Sequence, residues 1–513
     1  MIRVVSPGPR TGSLKMPSSK SAAHCMLMLA ALSECRTGVL METVSKDVAA
    51  TIECLEALGA GFKKTGEDVY LVTPVRRTPA PSRAFSPKDN AIERPEAFAQ
   101  SLDLASDILK DFKTESKEDH EGVTVSFGPE DALKAGRVKT AAEWLSLPEK
   151  EIRKEETILP LPKGAKHLYC KESGTTLRFM LPLAAALGVP SVFHMEGRLS
   201  QRPIEPLKDA LEAHGVTIRR SGDLMVLEGQ LEPGDYVIPG NVSSQFVSGL
   251  LFSLPLLSGE SRLTVTQKLE SEAYVMMTEE ALRTANIAFS KNGAVYTVPG
   301  RQRYLPPNEL SVESDWSSAA VFFCMGALSE HGISASNMNM RSCHADRRIL
   351  DILSSFGAKV SERGGIVTVR KGTLKGLTID ASESPDLVPA LCALSCAAEG
   401  KTRIENAGRL RLKESDRIKS TVKMLRALGA DIEEEQEGIV ICGTGLLHGG
   451  TVDVSNDHRI VMAAAVAAGL CTGAVRIPDS ECVEKSYPSF FKDLGTLKTE
   501  EHTWQGHTGS SLD

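Results

Sequence analysis

KMLRALGADI, residues 423–432, reads as the end of an amphipathic helix, a glycine, and the start of a short strand. The same phrase returns as ECLEALGAGF at 53–62, DALEAHGVTI at 209–218 and DILSSFGAKV at 351–360. Each glycine suits a helix C-cap, where the chain takes a left-handed conformation that a Cβ disfavours. One such phrase is punctuation. Four in one chain predict a supersecondary unit used repeatedly, and hence a fold built by duplication. Their spacing is too long for an ordinary solenoid and fits a module of βαβαββ size.

Helix candidates with small and aliphatic faces surround these phrases, among them SAAHCMLMLAALSE, GTTLRFMLPLAAALG, SSQFVSGLLFSLPLL, SSAAVFFCMGALSE and DHRIVMAAAVAAG. Short β-branched runs such as SRLTVTQ, GGIVTVRKG and GIVICG lie between them. One region breaks the alternation. From Lys63 to Tyr169 the chain holds PVRRTPAPSRAFSPK, LKDFKTESKEDHEG and TAAEWLSLPEKEIRKEE. Proline, charge and few aliphatics predict an insertion without a full core of its own, a surface elaboration rather than a regulatory lobe. The tail KTEEHTWQGHTGSSLD predicts no regular structure.

At 513 residues the chain exceeds what one hydrophobic core serves, so two or more domains are expected. A net charge of −7 argues against nucleic acid as the main partner, because backbone binding needs a basic footprint. Eleven cysteines are scattered singly, with no CxxC pair and no even framework, which predicts reduced thiols in a cytoplasmic protein. Cys392 and Cys396 share a helix spacing, but without a histidine nearby they make a poor metal site. MIRVVSPGPR has no apolar run of signal-peptide length, and AAHCMLMLAAL and VSGLLFSLPLL are too short to span a bilayer. A soluble protein is the expectation.

Three hydroxyl-rich helix starts stand out. MPSSKSAAH places Lys20 and Ser21 where exposed N–H groups favour an anion; KESGTTLRF puts Gly174 and Thr175 at a second start, with Arg178 one turn on. NVSSQF supplies Ser243, Ser244 and Gln245 at a third. Each alone is an ordinary cap; together with scattered arginines they suggest a site for a phosphorylated, hydroxylated small molecule. In RLRLKESDRIKS, residues 409–420, Lys413 and Arg417 share a helix face beside Glu414. Such mixed charge is ordinarily a solvated face. NDHRIVMAAAVAAG is less easily dismissed, because Asp457, His458 and Arg459 precede a helix apolar all round and need partners.

Taken together and in order, LKMPSSKSAAH, ESGTTLRF, RLSQRPIEPLKDAL, NVSSQFVSGLL, ESDWSSAA, SPDLVPALCAL, RLKESDRI, NDHRIVM and VEKSYPSFF resemble the 5-enolpyruvylshikimate-3-phosphate synthase family. The resemblance implies an α/β (α+β) fold of two lobes, each from three βαβαββ units. The first lobe would be 1–19 with 313–495 and the second 20–312, the latter carrying the insertion at 63–169; residues 496–513 would be the tail. It implies transfer of the enolpyruvyl group of phosphoenolpyruvate to the 5-hydroxyl of shikimate 3-phosphate through a tetrahedral intermediate. Phosphate is released, no metal or organic cofactor is needed, and the enzyme is expected to act as a monomer.

Residue by residue, the resemblance gives Lys20, Arg198, Gln245, Arg417, Arg459 and Lys485 to the phosphoenolpyruvate set, with Gly174 and Thr175 lining that pocket. Ser21, Ser243, Ser244, Tyr274 and Lys413 fall in the shikimate 3-phosphate set. Asp47 and Arg178 match positions beside the site. Asp386 matches the carboxylate that accepts the 5-hydroxyl proton, and Glu414 the acid that serves the methylene carbon of phosphoenolpyruvate. The acceptor side departs from the pattern. Cys25 stands where an arginine normally grips the shikimate carboxylate, Glu272-Ala273 replaces Lys-Pro before Tyr274, and Glu172 and Arg409 occupy positions often held by asparagine. Losing one charge-assisted contact costs roughly 1.5–3 kcal/mol unless another replaces it. Two alternatives remain at this stage: UDP-N-acetylglucosamine enolpyruvyl transferase, whose Lys-Asn start and loop cysteine are absent, and an inactive or acceptor-altered relative acting as a binding protein.

Overall fold

The computed structural model describes residues 1–76 and 161–500. Twelve helices of seven or more residues run through them. They are α1 (Lys20–Leu32), α2 (Lys46–Ala57), α3 (Gly174–Ala186), α4 (Glu205–Glu212), α5 (Ser244–Ser253), α6 (Glu272–Thr284), α7 (Trp316–Gly326), α8 (Ile349–Phe356), α9 (Val388–Ser395), α10 (Arg417–Ala427), α11 (His458–Ala467) and α12 (Phe490–Thr496).

The expected βαβαββ unit is present in full. Asp235–Pro239, α5, Ser261–Thr266, α6, then Ser290–Asn292 and Val295–Val298 form one: the first two strands pair in parallel and the last two close as an antiparallel hairpin. Lys166–Lys171 through Leu224–Gly229 repeats it around α3 and α4, and Thr378–Asp380 through Gly438–Cys442 around α9 and α10. In two others the first strand comes from a distance. Glu309–Ser311 pairs in parallel with Thr37–Leu40, and Arg10–Lys15 with Ile333–Ser336. The sixth sheet is a remnant, in which Arg3–Val5 pairs with Val475–Ile477 beside Gly450–Thr451.

The glycines that suggested the repeat do what the phrase predicts. Gly357 and Gly429 have φ of 96° and 88°, and Gly59 and Gly215 are likewise left-handed, so each turns its helix into the next strand.

Apolar side chains collect into two separate cores. One takes Val5, Leu14 and Met16 together with residues from Trp316 to Leu497; the other runs from Ala22 to Val312. Each is the filling between small twisted sheets and near-fully buried helices such as α5, α7 and α11. Helices this apolar cannot serve as surface elements, and their polar first turns are left to face whatever lies at the helix mouths.

Two sequence expectations meet structure at their edges. Within 63–169, the strand Val69–Thr73 and the strand Lys166–Lys171 are members of sheets, while 77–160 lie outside the described residues. The tail begins later than 496. Lys498–Thr499 pairs antiparallel with Arg10 and Thr11, and the Glu500 carboxylate accepts from Ser329 Oγ at 2.6 Å; 501–513 lie outside the described residues. An open sheet edge at Arg10 explains the correction, since its unpaired backbone groups take up a short strand of any polar sequence.

All eleven cysteines are unpaired. Among the described residues no helix is long and apolar enough to cross a membrane, and no three or more His, Cys, Asp and Glu side chains gather as metal ligands.

Candidate active site

An open cleft of about 1090 Å³ is walled by residues of both cores. Its lining includes the first residues of three helices: Lys20 and Ser21 of α1, Gly174 and Thr175 of α3, and Ser244 and Gln245 of α5. One turn further in come Cys25, Arg178 and Ser248, joined by Thr278 of α6. The helices therefore aim their N-termini at the cleft, where free N–H groups and aligned dipoles favour negative charge. Serine and aspartate hold the starts in shape. Ser19 Oγ accepts from Ala22 N at 3.3 Å, Ser173 Oγ from Thr176 N at 3.2 Å, Ser243 Oγ from Gln245 N at 3.3 Å and Asp457 Oδ1 from Arg459 N at 2.9 Å.

The opposite wall is the stretch 409–417. Arg417 is buried, with its side chain 1% exposed, and each edge of its guanidinium meets a different carboxylate. Nη1 donates to Asp386 Oδ1 at 2.8 Å, Nη2 to Glu414 Oε2 at 2.6 Å, and Nε to Asp457 Oδ2 at 2.8 Å. Arg459 Nη2 donates to the other Asp386 oxygen at 3.1 Å, and Lys413 Nζ stands 3.6 Å from Oδ1. Burial pushes the Asp386 carboxyl up, but Lys413, Arg459, Arg417 and Lys20 outweigh it and hold the group well below the usual carboxylate range. Glu414 behaves alike: burial raises it, while Arg417 and Arg202 bring it far below its ordinary value. For Lys413 burial dominates and lowers the ammonium to about 8, although Asp386 opposes it.

Lys20 Nζ pairs with Asp47 at 3.0 Å, so the two residues act together at the mouth of α1. Thr175 Oγ1 accepts from Gln245 Nε2 at 2.6 Å, and Gln245 Oε1 accepts from Arg178 Nη1 at 3.3 Å. Gly174 leaves room here for two arginine heads. A Cβ would lie 2.5 Å from Arg178 Nη1 and 2.6 Å from Arg202 Nη1, so two guanidinium groups close over the bare backbone.

Of the residues singled out in the sequence, Lys20, Ser21, Gly174, Thr175, Ser243, Ser244, Gln245, Tyr274, Asp386, Lys413 and Glu414 line the cleft. Arg417 and Arg459 stand behind Asp386. Lys485 opens on an adjoining recess that shares Asp47 with the cleft; its Nζ lies 2.8 Å from Glu172 Oε2 and 2.7 Å from the Asn456 carbonyl.

Arg198 is a correction. It is exposed at the start of a short 3-10 turn, Leu199–Gln201, and does not border the cleft. The turn redirects the chain, and Arg202, four residues on, enters the cleft with Nη1 3.7 Å from Glu414 Oε1. Its place directly before Pro203 and helix α4 was the available signal. On the acceptor side, Cys25 is buried and burial pushes its thiol up to about 12, so it is a neutral wall. Glu272 turns away from the cleft to Lys291, at 2.9 Å. Arg409, by contrast, does line it.

The family model described as EPSP synthase (3-phosphoshikimate 1-carboxyvinyltransferase) matches residues 4–92 and 142–494. A 3-phosphoshikimate 1-carboxyvinyltransferase of Clostridium kluyveri is 39% identical over 352 residues, which are 67% of this chain and 82% of that protein. The protein of the same name from Clostridium beijerinckii is 32% identical over 498 residues, 96% of each chain. An EPSP synthase structure from Acinetobacter baumannii superposes with a TM-score of 0.66 at 22% identity, covering 98% of this chain and 100% of the other. The enolpyruvyl transferase NikO from Streptomyces tendae gives 0.64 at 16% identity, covering 98% and 99%. Those two share the two-lobed architecture seen here. With its model matched along nearly the whole described chain and full-length relatives above 30% identity, the chain belongs to the EPSP synthase family.

Proposed function

We propose that this chain transfers the enolpyruvyl group of phosphoenolpyruvate to the 5-hydroxyl of shikimate 3-phosphate, releasing phosphate. The observation that carries the reading is the placement of Asp386 and Glu414 on the two arms of one buried guanidinium, Arg417. A donor anion drawn to that cationic centre would have one carboxylate on each side. Asp386, held ionised, takes the proton of the acceptor hydroxyl as its oxygen attacks C2 of phosphoenolpyruvate. Glu414 delivers a proton to C3, giving a tetrahedral intermediate. Glu414, ionised by that step, takes a proton back from C3 as the C2–O bond to phosphate breaks, which restores the double bond.

The protein's own charges hold Glu414 as an anion, which cannot donate. The donor supplies the remedy. Its phosphate and carboxylate share the charge of Lys20, Arg202 and Arg417, loosening their hold on Glu414 and raising its pKa toward the working range. Catalysis is thus chiefly positioning and electrostatics at pre-formed helix ends. In this reading 20–312 and 1–19 with 313–495 serve as the two lobes and the chain works as a monomer, because every group invoked comes from one copy. Unpaired cysteines suit a reducing cytoplasm. Family and relatives favour this acceptor over UDP-N-acetylglucosamine.

Steady-state phosphate release tests the proposal. Release should require both substrates, proceed with chelator present, and stop when either substrate is left out. A folded protein that releases no phosphate at millimolar concentrations of both overturns it.

A further inference from the structure

Helix α6 borders a second recess, of about 1010 Å³, none of whose lining residues borders the cleft. Tyr274, Met277 and Thr278 turn to the cleft, Ala273 and Met276 to the recess, two neighbouring faces of one helix. A seam divides the cavities. Ser271 Oγ, on the cleft side, donates to the Ser382 carbonyl at 3.3 Å, and Glu272 N donates to Glu383 Oε2 at 3.1 Å. Ser382 and Glu383 line the recess. Its walls come from both cores, because Val275 and Met277 of α6 pack in one while Ala345 and Ala381 pack in the other.

The chain's net charge is −7, yet four cations ring this recess. Lys268 comes from the α6 side, and Arg341, Arg347 and Arg348 from the segment leading into α8. Among the described residues none of the four makes an ion pair or a side-chain hydrogen bond. The carboxylates at hand are already engaged. Asp380 Oδ1 accepts from Ser382 N at 2.9 Å, Glu383 holds the start of α6, and Glu280 takes the Cys343 thiol. One exposed arginine is ordinary solvated surface; four cations converging on a concave wall concentrate anions there. The lining adds a buried donor. His344 is 2% exposed, and its Nδ1 accepts from Asp346 N at 3.1 Å, which puts the ring proton on Nε2. That N–H has no partner among the described residues. Ala273, Ala345 and Met276, the last 44% exposed, supply apolar surface between the charges.

We propose that this recess is a separate binding site for a small organic polyanion, one acid group held by Lys268 and the other by the arginines. A short carbon body would lie on the apolar surface between them, and the occupant would tie the two cores together. The site goes beyond the reaction proposed above and does not rest on it. Cys343, half-buried in the lining, reports occupancy locally; exposed Cys35 and half-buried Cys442 are the controls. Alkylation of the full chain, read by peptide mass spectrometry, is followed with glutarate and with trimethylene diphosphonate, which share one carbon chain. At least one probe should slow modification of Cys343 severalfold and leave both controls unchanged, and the better probe tells carboxylate from phosphate. Arg341→Gln combined with Arg348→Gln should raise the probe concentration needed by about ten- to a hundredfold. Lys268→Gln, on the facing wall, should raise it by about tenfold and keeps the test open if the double variant fails to fold. No protection from either probe, or protection unchanged in either variant, overturns the proposal.

Discussion

In the proposed function Lys413 is a cation of the acceptor side, so its charge state sets the pH dependence expected there. Burial brings its ammonium from 10.5 down to about 8. As pH rises through 8 it loses its proton and the cleft loses a cation, so kcat/KM for shikimate 3-phosphate should fall on the alkaline side with that midpoint. Lys413→Arg should carry the limb well above pH 8; a profile flat to pH 9.5 in the wild type contradicts this assignment. Stability moves the opposite way. The folded state releases this proton before the unfolded chain does, so the group's destabilisation is full below pH 8 and is relieved between 8 and 10.5. At this scale most of the cleft lining was readable, because Lys20, Gln245 and Glu414 sit in short motifs whose order is specific. RLSQR was misread. It has two arginines four apart, and the 3-10 turn between them, ahead of Pro203 and α4, decides which faces the cleft. Nor could charge alone foretell that Glu172 would be taken by Lys485, a partner 313 positions away.

Among the elements, α10 and α11 depend on each other through one buried side chain. Asp457 caps α11 at Arg459 N, accepts from Ser415 Oγ at 3.0 Å, and neutralises Arg417 from α10. Its side chain is 0% exposed. Asp457→Asn keeps the shape and cap but removes one of the three carboxylates around the guanidinium. Thermal unfolding should show a loss of about 1.5–3 kcal/mol, the usual cost of one charged hydrogen bond, because Asp386 and Glu414 still face the guanidinium. A shift below about 1 kcal/mol would mean that Asp386 and Glu414 alone satisfy Arg417. The elements themselves were the most legible level. Helix, left-handed glycine and strand recur because each is a local steric matter. The late strand Lys498–Thr499 was missed because nothing in a polar tail announces a vacant sheet edge some 490 residues earlier.

For the whole molecule, the physical fact is convergence. Lys20, Gly174, Gln245 and Asp386 are spread along the chain, yet they line one cleft, with Arg459 behind Asp386 and Lys485 in the adjoining recess. Periodicity predicted the duplication but not which polar turns would meet; that required motif order along the chain and then coordinates. If the cleft adds and then eliminates across the donor's double bond, solvent protons must enter its methylene carbon. The measurement is mass spectrometry of the product formed from phosphoenolpyruvate and shikimate 3-phosphate in deuterium oxide. An enolpyruvyl ether carrying deuterium in its vinyl methylene, and almost no product from Glu414→Gln, is the predicted result. Product without deuterium, or none from a folded wild type that binds both substrates, contradicts the account.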